Sequence, residues 1–253
     1  AALIPAVRDI AYAAGDAIMV IYSTDFGSER KDDGSPVTLA DTAAEAIILP
    51  GLRALTPDIP VVSEEEHAEG SSPTEIGDRF WVVDPLDGTR EFLKRNDEFT
   101  VNIGLIENNI PIFGVLFAPA LNLMYMGTLN GGATLIEGDK PERPIACRDV
   151  PEDGLDVLVS RSHSINESLE EYLKDETVRN RIPQGSALKF GRLAEGAADI
   201  YPRFGPTCEW DTGAGHAIVL AAGGSLTMMD GSIFNYGKTP KFLNPGFVAF
   251  GRR

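Results

Sequence analysis

The stretch FWVVDPLDGTREF, Phe80 to Phe92, runs four apolar residues straight into two aspartates separated by a proline and a leucine. Phe80, Trp81, Val82 and Val83 read as a buried strand, and Pro85 lacks the backbone donor that further pairing needs. The strand is therefore expected to stop at Asp84. Asp84 and Asp87 then fall on a tight bend, and Gly88 and Thr89 open a short helix whose first N–H groups have no helical partner. Such a bend offers carboxylates to a metal ion and amides to an anion.

Working outward, 253 residues suffice for one large domain or two modest ones. Hydrophobic residues at 43% and charged residues at 24% describe a folded globular chain rather than a disordered one. No apolar run approaches the ~18 residues of a membrane-spanning helix, and the start AALIPAVRDI lacks the basic region and cleavage pattern of a signal peptide. The expected location is the cytoplasm, with peripheral association at the inner face of the cell membrane left open. Cys147 and Cys208 have no metal-binding spacing and read as reduced thiols. The 22 Lys and Arg against 38 Asp and Glu give a net charge of −16, which excludes a nucleic-acid-coating surface. An anionic substrate then needs metal ions or a few placed cations.

Ile10, Ala13, Ala14, Ala17, Ile18 and Ile21 recur at helical spacing and predict an amphipathic first helix. The polar connection DFGSERKDDGSP leads to TLADTAAEAIILPGLRAL, a second helix disturbed at Pro50, and IPVVSEE is a short strand that delivers acids at its end. TVNIGLIENNIPIFGVLFAPALNLMYMGTLNGGATLI reads as an antiparallel meander with turns near Asn108-Asn109 and Pro119 to Asn122. These elements make an N-terminal α+β domain over 1–136. Over 137–253, the strand LDVLVS, a capping box at Ser164 to Glu167, a helix after QGS, the strand DIYPRF, the apolar helix DTGAGHAIVLAAGG and the strands SLTMM and GFVAFG make a C-terminal α/β domain.

Glu64 to Glu66, Asp84, Asp87 and Asp211 all stand at ends of expected elements, where side chains of distant segments converge. Carboxylates and backbone carbonyls are the hard oxygen donors that magnesium prefers. SEEE also reads as a solvated surface run. Asp41, three residues after Thr38, reads equally as half of a capping box, and both roles are compatible. Ser160, Arg161, Ser162 and His163 lie between a strand and a helix start, a place to hold an anion. In GSALKF, Ser186 caps a helix with Lys189 one turn in, repeating that arrangement. GSIFNYGKT has five residues between its glycines where a phosphate-binding P-loop has four, and GAG at Gly213 to Gly215 lacks a third glycine. No histidine sits beside a nucleophile elbow.

On these residues the chain resembles the inositol monophosphatase superfamily of magnesium-dependent, lithium-sensitive phosphatases, nearly end to end. WVVDPLDGTREF is similar to the first signature of that family and EWDTGAGHAIVLAAGG to the second, with Gly213 where alanine is more usual and Gly191 where a bulkier residue or cysteine is expected. VSRSHS and GSALKFGRLAEGAADIYPRFGPTCEWDT resemble the CysQ-type 3'(2'),5'-bisphosphate nucleotidases more than the inositol phosphatases. The resemblance implies an α/β fold, a layered α-β-α-β-α sandwich with the cleft between the two domains. It implies two or three Mg2+ ions held by Glu64, Asp84, Asp87, Asp211 and the Leu86 carbonyl. Gly88 and Thr89 would bind the phosphate being cleaved, and Asp41 with the Thr89 hydroxyl would orient and deprotonate a metal-activated water for in-line attack, with Glu64 as a further catalytic acid. Ser160, Arg161, Ser162, His163, Gly185, Ser186, Lys189, Arg203 and Asp211 would hold the nucleotide. The implied substrate is 3'-phosphoadenosine 5'-phosphate, cleaved to AMP and phosphate in sulfate assimilation by a monomer or homodimer. An inositol or other sugar phosphate is the nearest alternative substrate, and a catalytically idle metal- and phosphate-binding regulator is the alternative of another class.

Overall fold

The computed structural model describes residues 3–24, 36–161 and 167–252. Ser162, His163 and most of the expected capping box at Ser164 to Glu167 lie outside the described residues. Among the described residues no helix is long and apolar enough to cross a membrane.

Two twenty-residue helices come first, α1 (Leu3–Tyr22) and α2 (Pro36–Leu55). The buried stripe of α1 is Val7, Ala11, Ala14, Ile18 and Tyr22. It is rotated from the expected stripe, leaving Ala13 exposed and Ile10 half-buried. Small alanines on several faces make the period ambiguous, and the large side chains at the two ends decide it. Helix α2 runs through Pro50, which faces solvent, so the carbonyl that loses its helical partner can turn to water. It begins at Pro36, which needs no N–H in a first turn. Thr38 therefore lies inside the helix rather than at its cap, and Asp41, also inside, is buried.

The first sheet follows chain order: β1 (Val61–Ser63), β2 (Arg79–Asp87), β3 (Thr100–Glu107), β4 (Ile110–Ala118), β5 (Leu123–Thr128), β6 (Gly132–Glu137) and β7 (Arg143–Ile145). Only β1 and β2 are parallel, with α3 (Glu64–Ala68) between them, and α4 (Thr89–Leu93) follows β2. Asn108 and Asn109 take left-handed φ of 50° and 66° at the expected β3–β4 turn. Alternation puts Trp81, Val83, Ile103 and Val115 against α1 and α2, and Phe80, Val82, Ile106 and Leu116 on the opposite face.

Strand β2 does not stop at Asp84. Its register shifts between Asp84 and Asp87, and Asp87 then pairs with Thr100. Strand β1 reaches only Val83, so beyond it one edge of β2 has no neighbour and the missing donor of Pro85 costs no ladder bond.

The second half contributes β8 (Leu155–Ser160), α5 (Glu167–Leu173), β9 (Val178–Gln184), α6 (Leu188–Ala194), β10 (Ile200–Arg203), β11 (Thr207–Cys208), α7 (Glu209–Ala221), β12 (Ser225–Met228), β13 (Leu243–Asn244) and β14 (Phe247–Phe250). Five of these strands form a mixed sheet in the order β12-β14-β10-β8-β9, and β11 pairs with β13. Helix α7 packs between this sheet and the first, α5 covers the outer side, and the expected five layers result. Ser186 stands two residues before α6 rather than at its cap, and its Oγ accepts the Leu188 N–H at 3.3 Å.

Helix α7 lies against a row of glycines. Gly104, Gly114 and Gly127 pair directly across β3, β4 and β5. A Cβ on Gly114 would stand 2.2 Å from the Ala214 carbonyl oxygen, and one on Gly104 would stand 2.7 Å from the Ala214 nitrogen. Backbone cannot yield there as a side chain can. Gly114→Ala is expected to destabilise the fold by about 3 kcal/mol or more, read as a lowered denaturant midpoint; an unchanged midpoint would disprove the close approach.

Candidate active site

Three segments bring their acids together. Glu64 opens α3 directly after β1, Asp84 lies on β2, and Asp211 sits in the first turn of α7. One carboxylate oxygen from each lies within 4.8 Å of the other two. Asp84, Asp211 and the neighbouring Asp87 each accept a backbone N–H. The Leu86 N–H donates to Asp84 Oδ1 at 3.0 Å, closing an Asx turn over Pro85. The Cys208 N–H donates to Asp211 Oδ2 at 2.7 Å, and the Ala187 N–H to Asp87 Oδ2 at 2.5 Å. In SEEE, Glu64 turns inward while Glu66 accepts two hydrogen bonds from Arg53, at 2.7 and 2.8 Å.

Burial pushes this whole group toward the neutral form. The Asp41 carboxyl, 4% exposed, is raised to about 8 by burial first and then by Glu65 and Glu64. Burial and Asp87 raise Glu64 to about 7 and Asp211 to about 8. Asp84, 1% exposed, lies well above the carboxylate range for the same reasons, with Glu64 the nearest repelling charge. Asp87 is also raised by burial, against the opposing pull of Lys189. Like charges this close ionise together only with a cation between them.

The donors fit a hard divalent cation. Asn102 adds an independent sign. It lies directly across the ladder from Asp84, is 1% exposed, and neither atom of its amide has a hydrogen-bond partner among the described residues. Cross-strand neighbours share a face, so a polar group stands unsatisfied beside Asp84, where the water shell of a cation can meet it.

A cavity of about 290 Å³ adjoins the cluster. Asp87, Gly88 and Thr89, from the end of β2 and the start of α4, line it together with Ser160, Ser186, Lys189, Arg203 and Asp211 from the second half of the chain. Gly88 takes φ 96°, and a Cβ there would stand 3.0 Å from both the Glu98 carbonyl and Ser186 Cβ, so only glycine lets these segments approach. Lys189, 4% exposed, donates from Nζ to the carbonyls of Gln184 at 3.1 Å and Ser186 at 2.6 Å. Burial lowers its ammonium to about 8. Arg203 donates from Nη2 to the Pro206 carbonyl at 3.3 Å, and its buried Nε has no partner among the described residues.

Asp41, Glu64, Asp84 and Leu86 are not among the residues lining the cavity. Arg161 is not among them either; its guanidinium is paired with Glu98, which also accepts the Gly185 N–H. Glu91, Tyr201, Asn102 and Glu98 escaped the sequence reading. Only Asn102 left a signal there, a polar residue on the inward register of an otherwise apolar strand.

The model of the inositol monophosphatase family matches residues 2–249. The 3'(2'),5'-bisphosphate nucleotidase CysQ of Salmonella typhimurium is 48% identical over 243 residues, 95% of this chain and 96% of its own. The crystal structure of CysQ from Bacteroides thetaiotaomicron, a bacterial member of the same family, superposes with a TM-score of 0.84 at 36% identity, covering 98% of this chain and 96% of that one. An inositol monophosphatase from Zymomonas mobilis superposes at 0.80 with 25% identity, covering 99% of this chain and 92% of that one. The match spans both signature segments and both sheets, and the chain belongs to the inositol monophosphatase family.

Proposed function

We propose that this protein is a magnesium-dependent phosphatase that hydrolyses the 3'-phosphate of 3'-phosphoadenosine 5'-phosphate to AMP and phosphate. The observation that carries the reading is one cavity lined both by Asp87 and Asp211, the second a member of the acidic cluster, and by two cations, Lys189 and Arg203. A bisphosphate presents charge to both: its scissile phosphate to a cation held by the acids, and its second phosphate to Lys189 and Arg203. The CysQ relatives, at up to 48% identity, support the same substrate class.

Glu64, Asp84, Asp87 and Asp211, with the Leu86 carbonyl, hold two or three Mg2+ ions in this reading. Bound magnesium supplies positive charge opposite the phosphoryl and leaving oxygens and lowers the pKa of water toward neutrality. Gly88 and Thr89 bind the phosphate being cleaved through backbone N–H groups. Asp41, buried beside the acids, with the Thr89 hydroxyl orients the attacking water and takes its proton in this reading. Ser160, Gly185 and Ser186 shape the nucleotide side, while Tyr201 carries the Lys189 ammonium 5.2 Å above its ring. Ser162 and His163 belong to the same proposal from the sequence.

Three measurements test it. Phosphate release from 3'-phosphoadenosine 5'-phosphate should exceed release from inositol 1-phosphate, and Asp84→Asn should cut it on the order of 100-fold or more while weakening magnesium binding by calorimetry. Preference for the inositol ester would overturn the substrate, and an active Asp84→Asn variant would overturn the site.

Acids whose folded values lie above their unfolded ones stabilise the metal-free fold at low pH and lose that contribution as pH rises through the folded value. With Glu64 at about 7 and Asp41 and Asp211 at about 8, the denaturant midpoint of metal-free protein is expected to fall between pH 5 and 8. Magnesium should restore more stability at pH 8 than at pH 5. A midpoint that stays level or climbs over this range without metal contradicts the assignment.

Because Lys189 loses its proton as pH passes about 8, KM for the bisphosphate is expected to climb above that pH. Lys189→Met should raise KM and flatten the climb; a profile identical to that of the parent would remove Lys189 from the site.

A further inference from the structure

The reaction chemistry leaves one ion pair near the cavity unused, with the Glu98 side chain 13% and the Arg161 side chain 41% exposed. Glu98 lies in the connection between α4 and β3, and Arg161 directly follows β8. The Arg161 guanidinium donates to Glu98 through two atoms, Nε to Oε2 at 2.7 Å and Nη2 to Oε1 at 2.6 Å. Its Nη2 also donates to the Pro183 carbonyl at 3.0 Å. Glu98 does more than neutralise this arginine, because its Oε2 accepts the Gly185 N–H at 2.6 Å. One carboxylate thus ties the end of β8, the end of β9 and the turn that follows β9.

That turn leads into α6, whose Lys189 lines the cavity. It runs from Gly185 to Ala187, and Ser186 takes a left-handed φ of 45° that the surroundings must hold in place. A Cβ on Gly185 would stand 2.6 Å from Glu91 Cγ and 2.9 Å from Glu98 Cβ, so the turn is seated against the α4–β3 segment. At its far end the Ala187 N–H bonds to Asp87. Between these anchors the Ser186 carbonyl fixes the Lys189 ammonium at 2.6 Å. The turn is therefore pinned at both ends by acids of the first half, Glu98 at the nucleotide side and Asp87 at the metal side. A bidentate guanidinium pair fixes orientation as well as distance.

We propose that Glu98 is a positioning residue: with Arg161 it holds the Gly185–Ala187 turn, and through it Lys189, at the separation from the Asp87 bend that a bound nucleotide requires. The inference rests on the reading of this cavity as the bisphosphate site. Arg161 then acts through Glu98 rather than on a phosphate.

The test uses the full chain with magnesium, in Glu98→Ala, Glu98→Gln, Arg161→Met and Glu98→Ala/Arg161→Met forms. Kinetics on 3'-phosphoadenosine 5'-phosphate is read beside amide hydrogen exchange. Glu98→Ala should raise KM about tenfold or more while kcat stays within about threefold, and should speed exchange at Gly185 to Leu188 without speeding it in β3. Glu98→Gln, which keeps an acceptor for the Gly185 N–H, should fall between. Arg161→Met should match Glu98→Ala, and the double variant should be no worse than the worse single one, as expected of two residues acting as a unit. Unchanged KM and exchange in Glu98→Ala would overturn the proposal. So would a raised KM in Arg161→Met alone, which would make Arg161 a direct phosphate ligand. Should the parent protein fail to cleave the nucleotide, the substrate reading falls, and exchange still decides the clamp: faster exchange at the turn upholds it and unchanged exchange refutes it.

Discussion

Glu64, Asp84 and Asp211 meet within 4.8 Å at a site where Asp84 is fully buried and the other two are partly buried, and their mutual repulsion is the constraint around which the chain is arranged. Three features answer it. The Asx turn at Pro85 aims Asp84 and Asp87 while giving the first of them a backbone donor. The start of α7 supplies another donor to Asp211, with the helix dipole adding favourable potential there. The remaining charge is left for an ion of opposite sign, so the acids that strain the fold are the same ones that give it a use.

The acids and the cations of the site answer different chemical demands. The acids are carried by a short strand, a bend and a helix start, where Asp84, Asp87 and Asp211 accept main-chain hydrogen bonds. The remaining lining comes from α6, the turn before it and β10, where Lys189 and Arg203 donate to carbonyls. In the proposed reading, breaking bonds to phosphorus falls to the acids, and choosing which phosphate ester is held falls to the cations.

Much of this was legible in the sequence, and for identifiable reasons. The apolar run into DPLDGT announced a strand and a bend because hydrophobic period and proline act locally. The meander and the apolar α7 were readable on the same grounds, while the layered sandwich came from the resemblance carried by two signature segments. What was not legible depended on contacts between distant segments. The start of α2 at Pro36 removed the capping role from Thr38. The end of β2 was misplaced because the effect of Pro85 depends on where the neighbouring β1 runs out. Glu98 stands in an unremarkable polar stretch, NDEFT, and only the arrival of Arg161 and Gly185 from far along the chain gives it a task.

The glycine row under α7 sets this helix apart from an ordinary helix on a sheet. Most helices rest on a cushion of side chains, and their height above the sheet can be retuned one methyl group at a time. Here main chain faces main chain, so the spacing has no intermediate settings. Asp211 rides on the end of that helix and inherits its fixed height. Relatives of this protein that accept new esters have little freedom to gain them by shifting α7. The adjustable part of the machine is the rest of the cavity lining, where side chains such as Lys189 and Arg203 face the bound ester in the proposed reading.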